Sequence, residues 1–189
     1  PVERNGEIIG IAGLQVIITS RGTSCLPPGC GARIVDSSVQ VTSDGVFVAA
    51  RSEPRDVAYL LFTSGSTGRP KGVPIRHAQL DAFLGTMIEG DLYDFRSDDG
   101  FLQMFELTFD LSVFSLFVPL SIGAACHVLP EASVSYLEIV RQMDEHAITV
   151  ALMVPSVLAY LKPYFDELDF PAMRYSMFCG EALHESALS

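Results

Sequence analysis

The chain has 189 residues, enough for one domain with a sizeable hydrophobic core. Hydrophobic residues make up 49% of it and charged residues 19%, a balance that excludes an intrinsically disordered chain. The formal net charge is −11 and the basic residues are scattered, so no nucleic-acid partner is expected, because phosphate contacts need clustered Lys and Arg.

Short apolar runs rich in β-formers alternate along the chain with segments of helical periodicity. The predicted strands are residues 15–19, 33–36, 57–63, 73–75, 101–104, 125–129, 148–154 and 175–179. The predicted helices are residues 80–88, 111–122, 137–143 and 155–162. This alternation predicts an α/β fold, with a mainly parallel sheet and helices on both of its faces.

Residues 111–130 carry no formal charge and reach the length of a membrane span. Pro119, Gly123 and Pro130 interrupt the stretch, and several polar residues dilute it. We therefore predict a buried helix followed by a buried strand over residues 125–129, and no membrane span.

The four cysteines are Cys25, Cys30, Cys126 and Cys179. Their spacing matches no zinc or disulfide pattern, and we expect no secretory segment at the start of the chain. We expect free thiols in a reducing, cytoplasmic compartment, and no metal site built from these side chains.

The strand at residues 57–63 leads into a loop of hydroxyl residues and glycines that ends in a lysine. Backbone N–H groups in such a turn form an anion-binding nest, and glycine lets the backbone come close to a ligand. Hydroxyls add hydrogen bonds and the lysine adds a point charge. The candidate phosphate-binding residues are Thr63, Ser64, Gly65, Ser66, Thr67, Gly68 and Lys71.

This loop differs from the phosphate loop of the nucleotide hydrolases. That pattern needs Gly before the lysine and Ser or Thr after it, whereas Pro70 precedes Lys71 and Gly72 follows it. No hydroxyl stands where that class holds magnesium. A simple Gly/Ser linker is the alternative, but a linker does not need the ordered Thr-Gly-x-Pro-Lys-Gly ending.

The ten residues from Thr63 to Gly72 read Thr-Ser-Gly-Ser-Thr-Gly-Arg-Pro-Lys-Gly. They resemble the phosphate-binding loop of the adenylate-forming ligases, a family of acyl-CoA synthetases, luciferases and amino-acid adenylation domains. The resemblance implies that a carboxylate is activated with ATP and Mg²⁺ to an acyl-adenylate, and that a thiol then captures the acyl group. It also implies that residues 1–189 are one incomplete part of the large N-terminal domain, not expected to catalyse adenylation alone.

The segment Phe109-Asp110-Leu111-Ser112 places a carboxylate between apolar residues. A buried carboxylate needs a cationic or hydrogen-bonding partner, and a side-chain cap for the following helix is the alternative role. The segment is similar to the Phe-Asp-x-Ser stretch of the amino-acid-activating branch, which implies that Asp110 pairs with the α-ammonium group of the substrate. An acyl- or aryl-CoA ligase, which lacks such an acid, and a non-catalytic module with the same fold are the competing interpretations.

The segment Phe178-Cys179-Gly180-Glu181 resembles the family's element beside the adenine. This implies that Gly180 and Glu181 bind adenine, although Glu181 could equally favour the first turn of a helix. Thr63, Asp110 and Gly180 all fall at or just after a predicted strand end, so we expect them at one edge of the sheet.

Matching family positions assigns Leu111, Phe114, Leu152, Met177 and Cys179 to the substrate pocket. Such an apolar lining favours a small or apolar amino acid. The two segments look most like those of D-alanine:carrier-protein ligases, which implies a phosphopantetheinyl carrier protein as partner. No residue of this chain is assigned a catalytic role.

Overall fold

The structure is a computed structural model, and it describes residues 2–20, 24–39, 48–64, 68–130, 136–164 and 166–183. The chain divides into two compact units, Pro1–Leu80 and Asp81–Ser189. The candidate phosphate-binding residues Gly65, Ser66 and Thr67 lie outside the described residues, as does the side chain of Ser64.

In its described part, the first unit consists of a helix, two parallel strands and an antiparallel hairpin. Its elements are α1 at Val2–Ala12, β1 at Val16–Thr19, β2 at Arg33–Asp36, β3 at Val57–Ser64 and β4 at Pro70–Arg76. The strands β1 and β2 pair in parallel, and β3 and β4 pair as the hairpin. The sequence patterns did not indicate α1, in which Gly6 and Gly10 lower the intrinsic helix propensity.

The second unit is built on a parallel sheet. Its elements follow α2 at His77–Ile88 and are β5 at Gly100–Gln103, α3 at Leu111–Ile122, β6 at Ala125–Val128, α4 at Tyr136–Glu145, β7 at Val150–Met153, α5 at Pro155–Leu161 and β8 at Tyr175–Phe178. The strand order in the sheet is β6-β5-β7-β8, and every described pairing is parallel.

Alternate residues of the central strands face opposite sides of this sheet, as the strand period requires. One face is packed against α3 by Phe101, Val150 and Leu152 of the sheet and Phe114 and Val118 of the helix. The other is packed against α4 and α5 by Leu102, Ala151, Met153, Ile139, Met143 and Val157. Helices therefore cover both faces of a mainly parallel sheet, which confirms the predicted fold class.

Two expectations about the strands need correction. The strand β6 was expected to be buried, but it forms an edge of the sheet, and Val128 is 63% exposed. The strand β3 does not join the parallel sheet, because its hydrogen-bonding partner is β4. The expectation that Thr63 shares a sheet edge with Asp110 and Gly180 is therefore wrong for Thr63.

Residues 111–130 form a helix and a strand, as predicted, rather than one long helix. Gly123 ends α3 in a left-handed conformation with φ of 75°. Across the described ranges, no helix is both long enough and apolar enough to cross a membrane. All four cysteines lie in the described part of the chain as free thiols.

The amino ends of three parallel strands meet at the carboxylate of Asp99, which is 2% exposed. The Arg174 guanidinium donates to both of its oxygens at 2.6 and 2.7 Å, and the Thr149 hydroxyl donates at 2.6 Å. Burial works to raise the pKa of Asp99, but the hydrogen bonds from Thr149 and Arg174 outweigh it and leave that pKa below its usual value. One buried acid thus ties together the residues that precede β5, β7 and β8.

The substitution Asp99→Asn should lower the free energy of unfolding by ~3 kcal/mol, because it leaves the Arg174 guanidinium without its buried counter-charge. Urea denaturation measures this. The control is Glu145→Gln, which removes an exposed carboxylate paired with Arg141 on α4 and should change stability little.

The stability difference between the wild type and Asp99→Asn should depend on pH. Because folding lowers the pKa of Asp99, its carboxylate stabilises the fold fully above about pH 4, and this contribution is lost as the pH falls through the folded-state pKa. The stability difference between the wild type and Asp99→Asn should therefore shrink from about pH 7 to about pH 3. A constant difference would contradict the role given to this carboxylate.

Candidate functional site

The hairpin of β3 and β4 sets the two ends of the predicted phosphate loop opposite each other. Its register pairs Thr63 directly with Lys71, and directly opposed residues of an antiparallel pair project their side chains on the same face. Both residues are exposed. The Thr63 and Lys71 side chains therefore project from the same face of the hairpin.

Two glycines of this hairpin are required by its geometry. Gly68 adopts a left-handed conformation, with φ of 79°, which costs glycine little. A Cβ atom at Gly72 would lie 3.2 Å from Leu60 Cδ1 and 3.3 Å from Phe62 Cε1, so the Phe62 ring packs over the glycine of the opposite strand. The glycine that follows Lys71 in the motif therefore lies where the opposite strand leaves little room for a side chain.

The other two motifs meet at the carboxyl edge of the parallel sheet in the second unit. Asp110 follows β5 at the start of α3, and Gly180 follows β8. The Cβ position of Gly180 lies 3.6 Å from Leu111 Cδ1 and 3.5 Å from Val154 Cγ1. The predicted shared edge therefore holds for Asp110 and Gly180, and the residue after β7 lies between their segments.

Asp110 stands at the N-cap position of α3 but does not cap it. Its φ of −64° and ψ of −26° are helical, and its side chain makes no capping hydrogen bond, whereas capping residues usually have an extended backbone. The Ser112 hydroxyl instead donates to the Phe109 carbonyl at 2.6 Å. Asp110 is also exposed, so the expectation of a buried acid is wrong, and its carboxylate is open to a ligand.

Glu181 has a structural partner that the sequence did not reveal. Its carboxylate accepts hydrogen bonds from the Ser156 backbone N–H at 3.0 Å and the Ser156 hydroxyl at 3.3 Å. The N-cap residue of α5 is Val154, whose apolar side chain cannot accept such a bond. Glu181 therefore caps α5 from a different part of the chain and fixes the segment that follows β8.

The five predicted pocket residues mostly share one environment. Leu111, Phe114, Leu152 and Met177 belong to the apolar cluster between the sheet and α3. Leu152 and Met177 are direct partners in the β7–β8 pairing. Cys179 lies just beyond the end of β8, exposed, with its backbone N–H donating to the Met153 carbonyl at 3.1 Å. The structure thus gathers four of the five residues and sets the fifth at the sheet edge.

One polar residue of this edge was missed in the sequence analysis. Gln103 is the last residue of β5 and is 2% exposed. A lone amide in the otherwise apolar run of residues 101–104 was the signal available for it, because polar side chains buried in a sheet usually have a specific partner.

The AMP-binding enzyme family matches residues 14–189. The chain belongs to the AMP-binding enzyme family. Across 131 residues it is 40% identical to an L-proline–L-prolyl-carrier protein ligase of Streptomyces coelicolor, a match that covers 68% of this chain and 24% of that protein. This family match confirms the resemblance to the adenylate-forming ligases that the sequence motifs indicated.

Two further AMP-binding relatives cover more of the chain. A nonribosomal peptide synthetase-like enzyme of Aspergillus fumigatus, fsqF, is 30% identical over 195 residues, covering 98% of this chain and 12% of that protein. The Vibrio cholerae adenylation domain AlmE, solved in complex with glycyl-adenosine-5'-phosphate, is 30% identical with a TM-score of 0.69, covering 84% of this chain and 30% of that one. The matches span about a quarter of the length of the Streptomyces coelicolor ligase and about an eighth of the length of fsqF.

Alanine substitutions at two glycines should have opposite effects on stability. Gly180→Ala should lower the free energy of unfolding by ~1 kcal/mol, because φ at Gly180 is 92° and an L-residue is strained there. Gly85→Ala should raise it by up to ~1 kcal/mol, because Gly85 lies inside α2 with open space around it. Thermal or urea unfolding measures both, and a stabilising Gly180→Ala would contradict the described loop geometry.

Proposed function

We propose that the chain is part of an adenylation domain that activates an amino acid. In the full-length protein, the amino-acid carboxylate attacks the α-phosphorus of ATP, which forms the aminoacyl-adenylate and releases pyrophosphate. The thiol of a phosphopantetheinyl carrier protein then attacks the acyl carbon, which forms a thioester and releases AMP. The amino acid, ATP and the carrier protein are the partners in this proposal.

The observation that carries the proposal is the carboxylate of Asp110. It is exposed at the start of α3 and does not cap that helix. Leu111, the next residue, belongs to the apolar cluster that the pocket residues share. An acid at the margin of an apolar surface suits a ligand with an ammonium group next to a small or apolar side chain.

The side chain of the amino acid and the adenine are assigned to residues near the carboxyl edge of the parallel sheet. The side chain of the amino acid would contact Leu111, Phe114, Leu152, Met177 and Cys179, and an apolar lining of this kind rejects a charged side chain. D-alanine is our first choice of substrate. The adenine would lie against the Gly180 backbone, with Glu181 acting through its bonds to Ser156, which hold that backbone in position.

The phosphates of ATP are assigned to the hairpin. Thr63, Ser64, Gly65, Ser66, Thr67 and Gly68 would donate hydrogen bonds to the β- and γ-phosphates, and Lys71 would neutralise their charge. Among the described residues, no group of three or more His, Cys, Asp or Glu side chains could hold a metal ion. In the proposal, Mg²⁺ is bound to the phosphate oxygens of ATP and would supply part of the charge neutralisation.

Two of the relatives support the amino-acid-activating branch. The Streptomyces coelicolor relative is named for an amino acid and its carrier protein, and the Vibrio cholerae domain was solved with a glycyl-adenylate. The test is ATP–pyrophosphate exchange by the full-length protein with D-alanine, L-alanine, glycine and L-proline. L-glutamate and L-lysine are the charged controls, and a fatty acid and an aryl acid are assayed beside them. Exchange with an uncharged amino acid supports the proposal, and exchange with fatty or aryl acids alone supports an acyl-CoA ligase.

Asp110→Ala should lower kcat/KM for the amino acid by ~100-fold or more in this exchange assay, because the substrate ammonium loses its counter-charge. The matched control is Glu106→Ala, which removes another exposed carboxylate from the turn before α3 and should leave exchange near the wild-type level. Equal losses in the two variants would argue against a specific role for Asp110.

Lys71→Ala should raise the KM for ATP by ~10-fold or more, because a positive charge opposite the triphosphate is lost. The control is Lys162→Ala, which removes the chain's other lysine, located in the 3₁₀ turn after α5. An unchanged KM for ATP in Lys71→Ala would separate the hairpin from phosphate binding.

A further inference from the structure

Gln103 links the central strand of the parallel sheet to the turn that carries Asp110. Its side chain is 2% exposed at the end of β5. The Oε1 atom accepts a hydrogen bond from the Phe105 backbone N–H at 3.1 Å. In the described part of the chain, the Nε2 atom of the same amide is buried with no hydrogen-bond partner.

The turn that begins at Phe105 is held by backbone bonds up to the start of α3. The Phe109 N–H donates to the Glu106 carbonyl at 2.9 Å, and the Ser112 N–H donates to the Phe109 carbonyl at 3.1 Å. Asp110 sits between these two bonds, and its own side chain contributes no capping bond. The position of the Asp110 carboxylate therefore depends on how the turn is attached to β5.

The unpaired Nε2 indicates that core stability does not explain the choice of glutamine. A buried donor without a partner is costly, and an apolar side chain of similar volume would pack at this position without that cost. What an apolar side chain could not do is accept the hydrogen bond from Phe105. The useful atom of Gln103 is thus Oε1, the atom that fixes the start of the turn.

We propose that Gln103 is a positioning residue for amino-acid binding, which holds the turn from Phe105 so that the Asp110 carboxylate meets the α-ammonium group. This inference rests on the proposed function. It assigns to Gln103 no contact with the substrate and no part in the chemical step. Its effect should appear in the KM for the amino acid rather than in kcat or in the KM for ATP.

The test uses ATP–pyrophosphate exchange by the full-length protein, with the amino acid of the panel that it activates best. Gln103→Met should raise the KM for that amino acid by ~10-fold and leave kcat and the KM for ATP within about 2-fold of the wild type. Gln103→Glu keeps an acceptor for the Phe105 N–H, and its KM should return to within about 3-fold of the wild-type value. Gln103→Leu also lacks an acceptor for the Phe105 N–H, so its KM should rise like that of Gln103→Met.

The matched control is Gln142→Met. Gln142 is another buried glutamine, 7% exposed, and its Nε2 donates to Glu138 within α4 at 3.0 Å. This variant removes a buried amide far along the chain from the turn and should leave the KM for the amino acid unchanged.

The outcomes separate this inference from the proposed function. If the wild type activates an amino acid but Gln103→Leu and Gln103→Met leave its KM unchanged, the positioning role is wrong. The role is also wrong if Gln142→Met raises that KM equally, or if the loss lies in kcat alone. If Gln103→Met does not fold, the comparison of Gln103→Leu with Gln103→Glu tests the same role. A wild type that activates no amino acid overturns the proposed function, and this role with it.

Discussion

The second unit depends on the bonds that one buried carboxylate makes at the amino edge of its sheet. Asp99 accepts hydrogen bonds from Thr149 and Arg174. Thr149 directly precedes β7, and Arg174 directly precedes β8. The strands β5, β7 and β8 each have four residues; β7 and β8 pair from end to end, and β5 is offset from β7 by one residue, so their carboxyl ends lie at the same edge. The segments that leave those ends, with Asp110 on one and Gly180 on another, therefore emerge at the same edge. A polar network at one end of the strands thus positions the candidate site at the other end.

Much of the fold could be predicted because its elements carry strong local patterns. The strand at Arg33–Asp36 and the helix at Leu111–Ile122 have the predicted bounds, since glycines, prolines and apolar runs mark their limits. The missed features depend on distant pairing. Nothing local shows that β3 pairs with β4 instead of entering the parallel sheet, or that β6 is an edge strand, because strand neighbours are chosen by tertiary packing.

The candidate site was predictable in its residue types but not in its hydrogen bonds. The loop and the two short motifs were selected as candidates from specific residue types at fixed spacing. The bond from Ser156 to Glu181 joins residues 25 positions apart, and no spacing rule reports such a contact. The environment of Gln103 was missed for a related reason. Its Oε1 accepts a local hydrogen bond from the Phe105 N–H, but its burial depends on how β5 packs within the sheet.

The two acids at the sheet edge are used in opposite ways, and the backbone explains the difference. Val154 has the extended backbone of a helix cap, with ψ of 147°, but no polar side chain, so Glu181 supplies the missing acceptor from elsewhere. Asp110 has a side chain well suited to capping but a helical ψ of −26°, and its carboxylate stays unused by α3. Glu181 stabilises the fold because it caps α5. Where the acid is left exposed, helix capping gives no reason for it, and the role we propose is to bind a positively charged group.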